Sequence, residues 1–463
     1  MAEETPVGEV QEYERMPVPS HAQKGWKSFL GMYAGEHTAG TEFMIGPLFM
    51  AAGVSAFDLI VGLLLGNFLA VVSWRYVLVP IATTRRLTLY YQLEKICGGY
   101  LVKLYNLANG ILFCFLAGAM ITVSATAVGI PFNMKMPALT DMYPTSVSWV
   151  VVVLVVGIVI AIVAAKGYDA VSRFANIAAP WMIILFVAFG FVAARELGVT
   201  SFSDLWDIWG EGSEPLPGQI KFTFWHVLFF SWFCNAAMHI GMSDLTVFRY
   251  AKHQSSGWTP AAGMYLGHFI AWISAGLLYA LYLKSAEAQV ALAQGIAPAV
   301  SPGPMAYAAL GLTGLAVVII AGWTTANPTI YRAGLAFQAM MPKTSRTTGT
   351  LIAGGVATLA GFFPAFAMKL LDFVALYGFI LAPIGAVIFF DHYFSEKVGL
   401  KSNYAESKQL KFNWAVLLAW GISMSICLYL ADMMDAFLSF FTFPVWVLCG
   451  LLFLMFSKFL QKN

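Results

Sequence analysis

The chain has 463 residues, of which 59% are hydrophobic and only 11% are charged. This composition excludes a soluble domain of this length and is typical of a helical membrane protein with many spans. The formal net charge is +2, so the charge balance gives no support to a nucleic-acid partner. The five cysteines show no paired spacing, so we expect neither a disulfide framework nor a cysteine-ligated metal.

Apolar windows of about 20 residues recur along the whole chain. Only helices fit them, because the strands of a membrane barrel alternate polar and apolar residues. We therefore predict an all-α polytopic protein embedded in a lipid bilayer. Its twelve predicted spans, numbered in chain order, cover residues 26–53, 55–80, 100–129, 147–165, 170–194, 222–240, 260–283, 305–330, 348–367, 370–393, 412–431 and 436–457.

The basic residues predict the orientation. If the N-terminus is cytoplasmic, 21 of the 26 Lys and Arg residues fall in inner segments, and Arg332 after span 8 is one of them. This bias follows the positive-inside rule, so we expect both termini on the cytoplasmic side of the inner membrane. A long outer loop with two tryptophan-bearing turns, in which we expect a short interfacial helix, separates spans 1–5 from spans 6–10.

Spans 1 and 6 carry polar and small residues inside apolar segments. Span 1 contains YAGEHTAGTEF, which places Glu36 about 15 Å into a hydrocarbon core of roughly 30 Å. A charged acid at that depth costs on the order of 2.5–3.5 kcal/mol. Span 6 contains FFSWFCNAAMHIGMSD. Interrupted segments at matching places in two blocks indicate an inverted-repeat transporter with unwound helices, although small residues also occur where membrane helices simply pack.

Span 8 contains VVIIAGWTTANPTIYRAG. Its residues Ala321, Thr324 and Thr325 share one helical face. Threonine hydroxyls suit Na⁺ better than soft metals, although a threonine in a membrane helix more often bonds back to its own helix. Pro328 cannot donate a hydrogen bond, so it releases the carbonyl of Thr324.

Four stretches resemble the nucleobase–cation symporter family, in particular its cytosine/purine permeases and hydantoin transporters. They are PVPSHAQKGWKSFLGMYAGEHTAG at span 1, MSDLTVFRYAKH after the span 6 break, GWTTANPTIYRAGLAF in span 8 and FILAPIGAVIFFDHYF in span 10. The resemblance covers nearly the whole chain in order. It implies the five-plus-five inverted-repeat fold of the amino acid–polyamine–cation superfamily, with two additional helices.

The resemblance also implies a division of the chain. The expected parts are a cytoplasmic tail at 1–25, a first repeat at 26–194, an extracytoplasmic loop at 195–221, a second repeat at 222–400, and spans 11 and 12 with a short tail at 401–463.

Members of the family bind one Na⁺ as coupling ion between spans 1 and 8. The resemblance implies no other cofactor. The matching positions would supply the carbonyls of Gly35, Thr38 and Ala321 and the hydroxyls of Thr324 and Thr325. All five are chemically competent, since three need only a backbone oxygen and two have the hydroxyl.

The substrate site departs from the family pattern. Cytosine permeases follow the paired threonines with asparagine-aspartate-asparagine, whereas this chain has Ala326, Asn327 and Pro328. Where the family often has glutamine and tryptophan in span 3, the chain offers Leu112, Phe113 and Phe115. We therefore expect a planar nitrogen heterocycle other than cytosine. The predicted substrate residues are Glu36, Phe115, Phe233, Cys234, Asn235 and Asn327, with Phe115 stacking on the ring and the two amides bonding its polar edge.

The sequence leaves three roles open for Glu36. It contacts a cationic or amine-rich ligand, it carries a coupling proton, or it forms a structural pair with neighbouring helices. His37 is a candidate partner that would hold it ionised. We expect Glu42 to be structural or gating, and His239 and His268 to be satisfied core histidines.

The sequence thus predicts Na⁺-coupled uptake of a nucleobase-like or related small heterocycle by alternating access. The alternatives are a proton-coupled permease for a cationic or vitamin-precursor heterocycle, and a non-transporting receptor on the same fold. A channel would need a continuous polar pore, whereas the polar residues cluster near one depth. An enzyme is not expected, because the chain has no HExxH, no DDxxD and no histidines paired at metal spacing.

Overall fold

The computed structural model describes residues 12–134, 136–137, 141–341 and 343–461. Within these ranges the regular secondary structure is helical, apart from one isolated β-bridge between Lys24 and Ala251, and turns and loops connect the helices. Nine helices in the described part are long and apolar enough to cross a membrane, and they correspond to spans 2–5, 7, 8 and 10–12. Spans 1, 6 and 9 consist of shorter helices, which accounts for the difference from twelve.

The helices of the first repeat follow the prediction closely. Span 4 has the predicted bounds, and the other ends differ by a few residues. The observed helices are Lys27–Glu36 and Glu42–Ala51 in span 1, Ala56–Val72, Ser73–Leu78 and Val79–Arg85 in span 2, Gly99–Gly129 in span 3, Val147–Ala165 in span 4 and Tyr168–Glu196 in span 5.

The second repeat and the last two spans follow in the same order. Their helices are Phe224–Phe233 and Leu245–Phe248 in span 6, Ala262–Phe269 and Ile270–Tyr282 in span 7, Pro302–Met340 in span 8, Arg346–Gly361 in span 9, Leu370–Tyr393 in span 10, Trp414–Met433 in span 11 and Thr442–Leu460 in span 12. Short helices outside the spans cover Leu89–Cys97, Phe202–Asp207 and Ala286–Ala293.

Two predicted span ends are wrong. Span 8 continues to Met340, so Arg332 lies inside the helix, is fully buried and is not an inner-loop charge. The helix of span 9 ends at Gly361 rather than at 367, and a separate short helix, Ala365–Met368, follows Pro364. The fixed backbone angle of proline favours the first turn of a new helix over the continuation of an old one.

Glycines let spans 1, 3 and 8 approach closely at the centre of the fold. A Cβ atom added to Gly40 would lie 3.3 Å from the Cα atom of Gly322. A Cβ added to Gly322 would lie 1.9 Å from the Oγ atom of Ser124 in span 3. Small residues at such crossings are typical of membrane helix packing, and here they bring the polar part of span 1 against span 8.

The N-terminal segment ties the two repeats together. The Glu12 carboxylate is 5% exposed and accepts hydrogen bonds from the Tyr168 backbone N–H at 2.6 Å and the Tyr331 hydroxyl at 2.7 Å. Arg249 donates to the carbonyl of Tyr13 at 2.7 Å. Segment 12–13 therefore contacts residues of spans 5 and 8 and the chain just after span 6.

The predicted short helix in the loop between spans 5 and 6 is confirmed at Phe202–Asp207. Its Asp204 carboxylate accepts hydrogen bonds from the Thr200 hydroxyl at 2.7 Å, the Thr200 N–H at 2.7 Å and the Ser201 N–H at 2.8 Å. These bonds, led by that from the Thr200 hydroxyl, lower the pKa of Asp204 from its usual 3.8 to about 2. The carboxylate thus closes a capping box.

Acidification should loosen this helix. Because folding lowers the pKa of Asp204, its stabilising contribution is complete above the unfolded value near 3.8 and is lost as the pH falls through about 2. We expect Asp204→Asn to speed amide hydrogen exchange of the helix at neutral pH, as measured by mass spectrometry. Asp207→Asn, at an exposed position of the same helix, is the control. Equal exchange in the two variants would contradict the capping role.

Candidate functional site

Both predicted helix breaks are confirmed. In span 1 the first helix ends at Glu36 and the second begins at Glu42, with residues 37–41 in turns and bends. In span 6 the helix ends at Phe233 and the next begins at Leu245. Within that second break Met242 has a φ of 68°, a left-handed conformation that a regular helix does not contain. Backbone groups at both breaks are therefore released from the helical pattern.

The two breaks face one small cavity of about 40 Å³. Of the predicted substrate residues, Glu36, Cys234 and Asn235 line it, and the predicted sodium ligand Thr325 does so as well. The remaining wall comes from spans 1, 3, 6, 7 and 10 and consists of His37, Thr41, Glu42, Ile45, Leu116, Met238, His268, Val374 and Tyr377.

Three predicted substrate residues do not line the cavity in this conformation. The Phe115 ring packs against Phe366 at a centroid distance of 5.5 Å, and the next residue, Leu116, faces the cavity instead. Phe233 is buried and stacks on Trp232 at 4.4 Å. Asn327 is 1% exposed, and neither of its amide atoms has a partner among the described residues. Their roles in binding stay predictions.

A buried ion network holds Glu36. Arg332 donates to Glu36 Oε1 at 2.6 Å and Oε2 at 3.2 Å, and to Asp244 Oδ1 at 2.8 Å. The second Asp244 oxygen accepts hydrogen bonds from the Tyr33 hydroxyl at 2.6 Å and from Trp74 Nε1 at 2.8 Å. The network joins spans 1, 2, 6 and 8. It pairs one guanidinium with two carboxylates, so it contains one more carboxylate than guanidinium.

His37, the candidate partner of Glu36, does not pair with it in the structure. His37 Nδ1 donates instead to the carbonyl of Tyr33 at 2.7 Å, one helical turn back. Arg332 forms the ion pair with Glu36 instead. This is possible because the helix of span 8 extends beyond its predicted end, so that the guanidinium lies in the protein interior. Sequence reasoning missed Arg332 as a site residue. The available signal was an unpaired acid in span 1 together with an arginine two residues beyond an apolar run.

The sodium-ligand positions lie where spans 1 and 8 meet. Thr325 Oγ1 donates to the carbonyl of Glu36 at 3.3 Å, at the residue where the first helix of span 1 ends. Thr324 Oγ1 bonds back to the carbonyl of Ala321 at 2.8 Å, and Thr38 Oγ1 to that of Ala34 at 2.7 Å. In the described ranges, the carbonyl oxygens of Gly35 and Thr38 accept no backbone hydrogen bond. Two backbone oxygens are thus left without a backbone donor in the span 1 break.

The architecture defines a class of protein. Twelve spans, of which the first and sixth are broken and open two five-helix blocks, form the inverted-repeat fold of helical membrane transporters. No protein-family profile matches the sequence, and no curated protein does. The assignment to this fold therefore depends on the structure.

Three solved structures share the fold in particular. Mhp1, a nucleobase-cation-symport-1 family transporter in a closed conformation with bromovinylhydantoin bound, is 13% identical to this chain. The match covers 96% of this chain and 95% of that chain, with a TM-score of 0.72. Its inward-facing form matches with 13% identity, 98% of this chain, 95% of that chain and a TM-score of 0.67. A Na⁺-coupled sialic acid symporter, substrate-bound and outward-open, matches with 13% identity, 97% of this chain, 92% of that chain and a TM-score of 0.63. At such identities the likeness establishes the fold, and all three neighbours are membrane transporters.

Proposed function

We propose that the protein is a secondary active transporter that couples uptake of a small nitrogen heterocycle, nucleobase-like or hydantoin-like, to Na⁺. The observation that carries this proposal is that the breaks of spans 1 and 6 face one cavity while the Thr325 hydroxyl touches the span 1 break. The neighbours support it, since Mhp1 is described with a bound hydantoin and the sialic acid symporter as Na⁺-coupled.

Sodium would lie between spans 1 and 8. Its ligands would be the carbonyls of Gly35, Thr38 and Ala321 and the hydroxyls of Thr324 and Thr325. The carbonyls of Gly35 and Thr38 support this choice, since neither accepts a backbone hydrogen bond within the described ranges and since backbone and hydroxyl oxygens are the hard ligands that Na⁺ prefers. The excess carboxylate of the Arg332 network lies beside the same break and would favour a cation there.

The substrate would occupy an enlarged form of the cavity. A space of about 40 Å³ admits water but no heterocycle, since ligand sites measure about 300–1,000 Å³. The cavity must therefore widen before it can hold a heterocycle. On opening, Glu36, Cys234 and Asn235 would remain on the wall, and Phe115, Phe233 and Asn327 would reach the ring only if their helices turn toward it.

We propose the following topology for this transporter. Both termini lie on the cytoplasmic side of the inner membrane, as the basic residues predict. The first repeat covers 26–194 and the second 222–400, with the tail 1–25, the loop 195–221 and the segment 401–463 outside the repeats.

A thermal-shift screen tests the proposed function. Purified protein is heated with uracil, adenine, hydantoin, allantoin, and pyrimidine or pyridine vitamin precursors, in Na⁺ and in K⁺. We expect at least one compound to raise the unfolding temperature more in Na⁺ than in K⁺, because ligands that bind one shared state assist each other. Equal shifts in the two salts would contradict sodium coupling, and no shift with any compound would contradict the substrate class.

A further inference from the structure

We infer that Glu42 and His268 form a proton-binding site on the outer-half side of the cavity, which adds a proton dependence to transport. The inference builds on the proposed function but concerns side chains distinct from the proposed sodium ligands. Glu42 opens the second helix of span 1, and His268 lies in span 7. Both side chains are buried in the protein and line the cavity.

The contacts of Glu42 are with neutral donors. Its Oε1 atom accepts a hydrogen bond from Thr41 Oγ1 at 2.8 Å, and its Oε2 atom accepts one from Trp272 Nε1. His268 Nε2 lies 3.8 Å from Oε1, at the edge of ion-pair distance. A carboxylate held in this way has donors for its lone pairs but, among the residues that the structure describes, no fixed positive charge beside it.

The other titratable groups around the pair do not supply that charge. His37 faces His268 with ring centroids 4.6 Å apart, and its Nδ1 atom is already bonded to the carbonyl of Tyr33. Cys234 Sγ lies 3.8 Å from His268 Nδ1. The guanidinium of Arg332 forms its ion pairs with Glu36 and Asp244 instead. A proton bound by Glu42 or His268 is therefore the cation that neutralises the negative charge of the Glu42 carboxylate.

The proton balance of the step is simple. In the unloaded form Glu42 is a carboxylate and His268 a neutral imidazole. One proton from the outer solution forms either an O–H bond on Glu42 or a second N–H bond on His268, and no other bond changes. The same proton dissociates to the inner solution when the cavity opens to that side. The loaded pair is neutral in total charge, so it passes through the closed state without a buried unpaired charge.

The backbone of span 7 links this pair to the moving part of the site. Residues Ala262–Phe269 form a π-helical segment, a geometry frequent at functional sites. A Cβ added to Gly267 would lie 2.3 Å from the carbonyl oxygen of His37, and one added to Gly263 would lie 2.6 Å from His37 Nδ1. Span 7 therefore packs directly against the span 1 break. A movement of that break would change the distance between Glu42 and His268.

Infrared titration of the purified protein tests the site with the proton itself as probe. Between about pH 9 and about pH 5, a range that brackets ordinary histidine titration, we expect a protonated-carboxyl band or an imidazolium band to grow. Compared with the wild type, the carboxyl band should decrease in Glu42→Gln or the imidazolium band in His268→Gln, according to which group holds the proton, while Glu12→Gln, a buried glutamate outside the cavity, should show neither decrease. Titration identical in all four proteins would overturn the inference. No heterocycle or sodium is needed, so this result is independent of the proposed function.

Uptake into proteoliposomes provides the second arm, with radiolabelled hydantoin and uracil as probes and equal Na⁺ on both sides. An acidic outer solution should drive accumulation by the wild type. Glu42→Gln and His268→Gln should each lose this response when accumulation is expressed relative to that of the same variant under a Na⁺ gradient. Retention of the pH response by both variants would overturn the inference. Loss of all uptake under a Na⁺ gradient by the wild type would instead contradict the proposed function.

Discussion

Arg332→Met should abolish Na⁺-driven uptake and strongly lower the thermal stability of the protein. The substitution preserves the length of the apolar stem but leaves Glu36 and Asp244 buried without their shared cation. Removing one partner of a buried ion pair costs about 3–5 kcal/mol, because the remaining charge is uncompensated. The midpoint of thermal unfolding in detergent and uptake into proteoliposomes measure the two effects.

Two further variants separate loss of charge from loss of the arginine itself. Arg173→Met, at an exposed position in span 5, should leave the unfolding midpoint close to that of the wild type. The double variant Arg332→Met, Asp244→Asn has one excess negative charge in the network, as the native protein has, whereas Arg332→Met alone has two. We therefore expect the double variant to regain part of the lost stability. An Arg332→Met protein as stable as Arg173→Met would show that the network does not hold the site together.

Thr325→Val should remove most of the sodium dependence while leaving the fold intact. Valine keeps the shape of threonine but lacks the hydroxyl that reaches the span 1 break. Losing a hydrogen-bonding or ligand group to a charged partner costs about 1.5–3 kcal/mol, equivalent to roughly 10–150-fold in sodium affinity. A sodium titration followed by thermal shift, in the presence of the compound found in the heterocycle screen, measures this loss.

Thr329→Val is the matched control for this experiment. Thr329 is also buried in span 8, one turn further along, and its hydroxyl bonds back to the carbonyl of Thr325 at 2.7 Å. It is not one of the proposed ligands, so sodium affinity should change little. If Thr325→Val and Thr329→Val lose sodium affinity equally, the ligand assignment is wrong and the effect belongs to helix packing.

The breaks of spans 1 and 6 could be predicted because they are local. Small and polar residues occur together in segments that are otherwise apolar, and they occur at matching positions in two blocks. This pattern predicts the breaks without knowledge of any contact between helices. The ion network is not local. Arg332 and Glu36 are separated by 296 residues, and the apolar run of span 8 ends just before the arginine, which therefore resembled a loop charge.

Which side chains face the cavity was the least predictable property. One residue along a helix turns a side chain by about 100°, so an aromatic at the right depth does not necessarily face the site. Leu116 lines the cavity where Phe115 was expected. His268 was expected to be a satisfied core histidine, and its position on the cavity wall opposite Glu42 follows from the packing of span 7 on the span 1 break.

Solute uptake under an imposed sodium gradient tests the central claim most directly, namely that the two broken helices form one site for a cation and a heterocycle. Proteoliposomes receive the radiolabelled compound from the heterocycle screen, at fixed pH, with Na⁺ outside and K⁺ inside. We predict saturable accumulation above the outside concentration, which collapses when Na⁺ is equal on both sides. Uptake of the same extent with external Na⁺ replaced by K⁺ would contradict the claim.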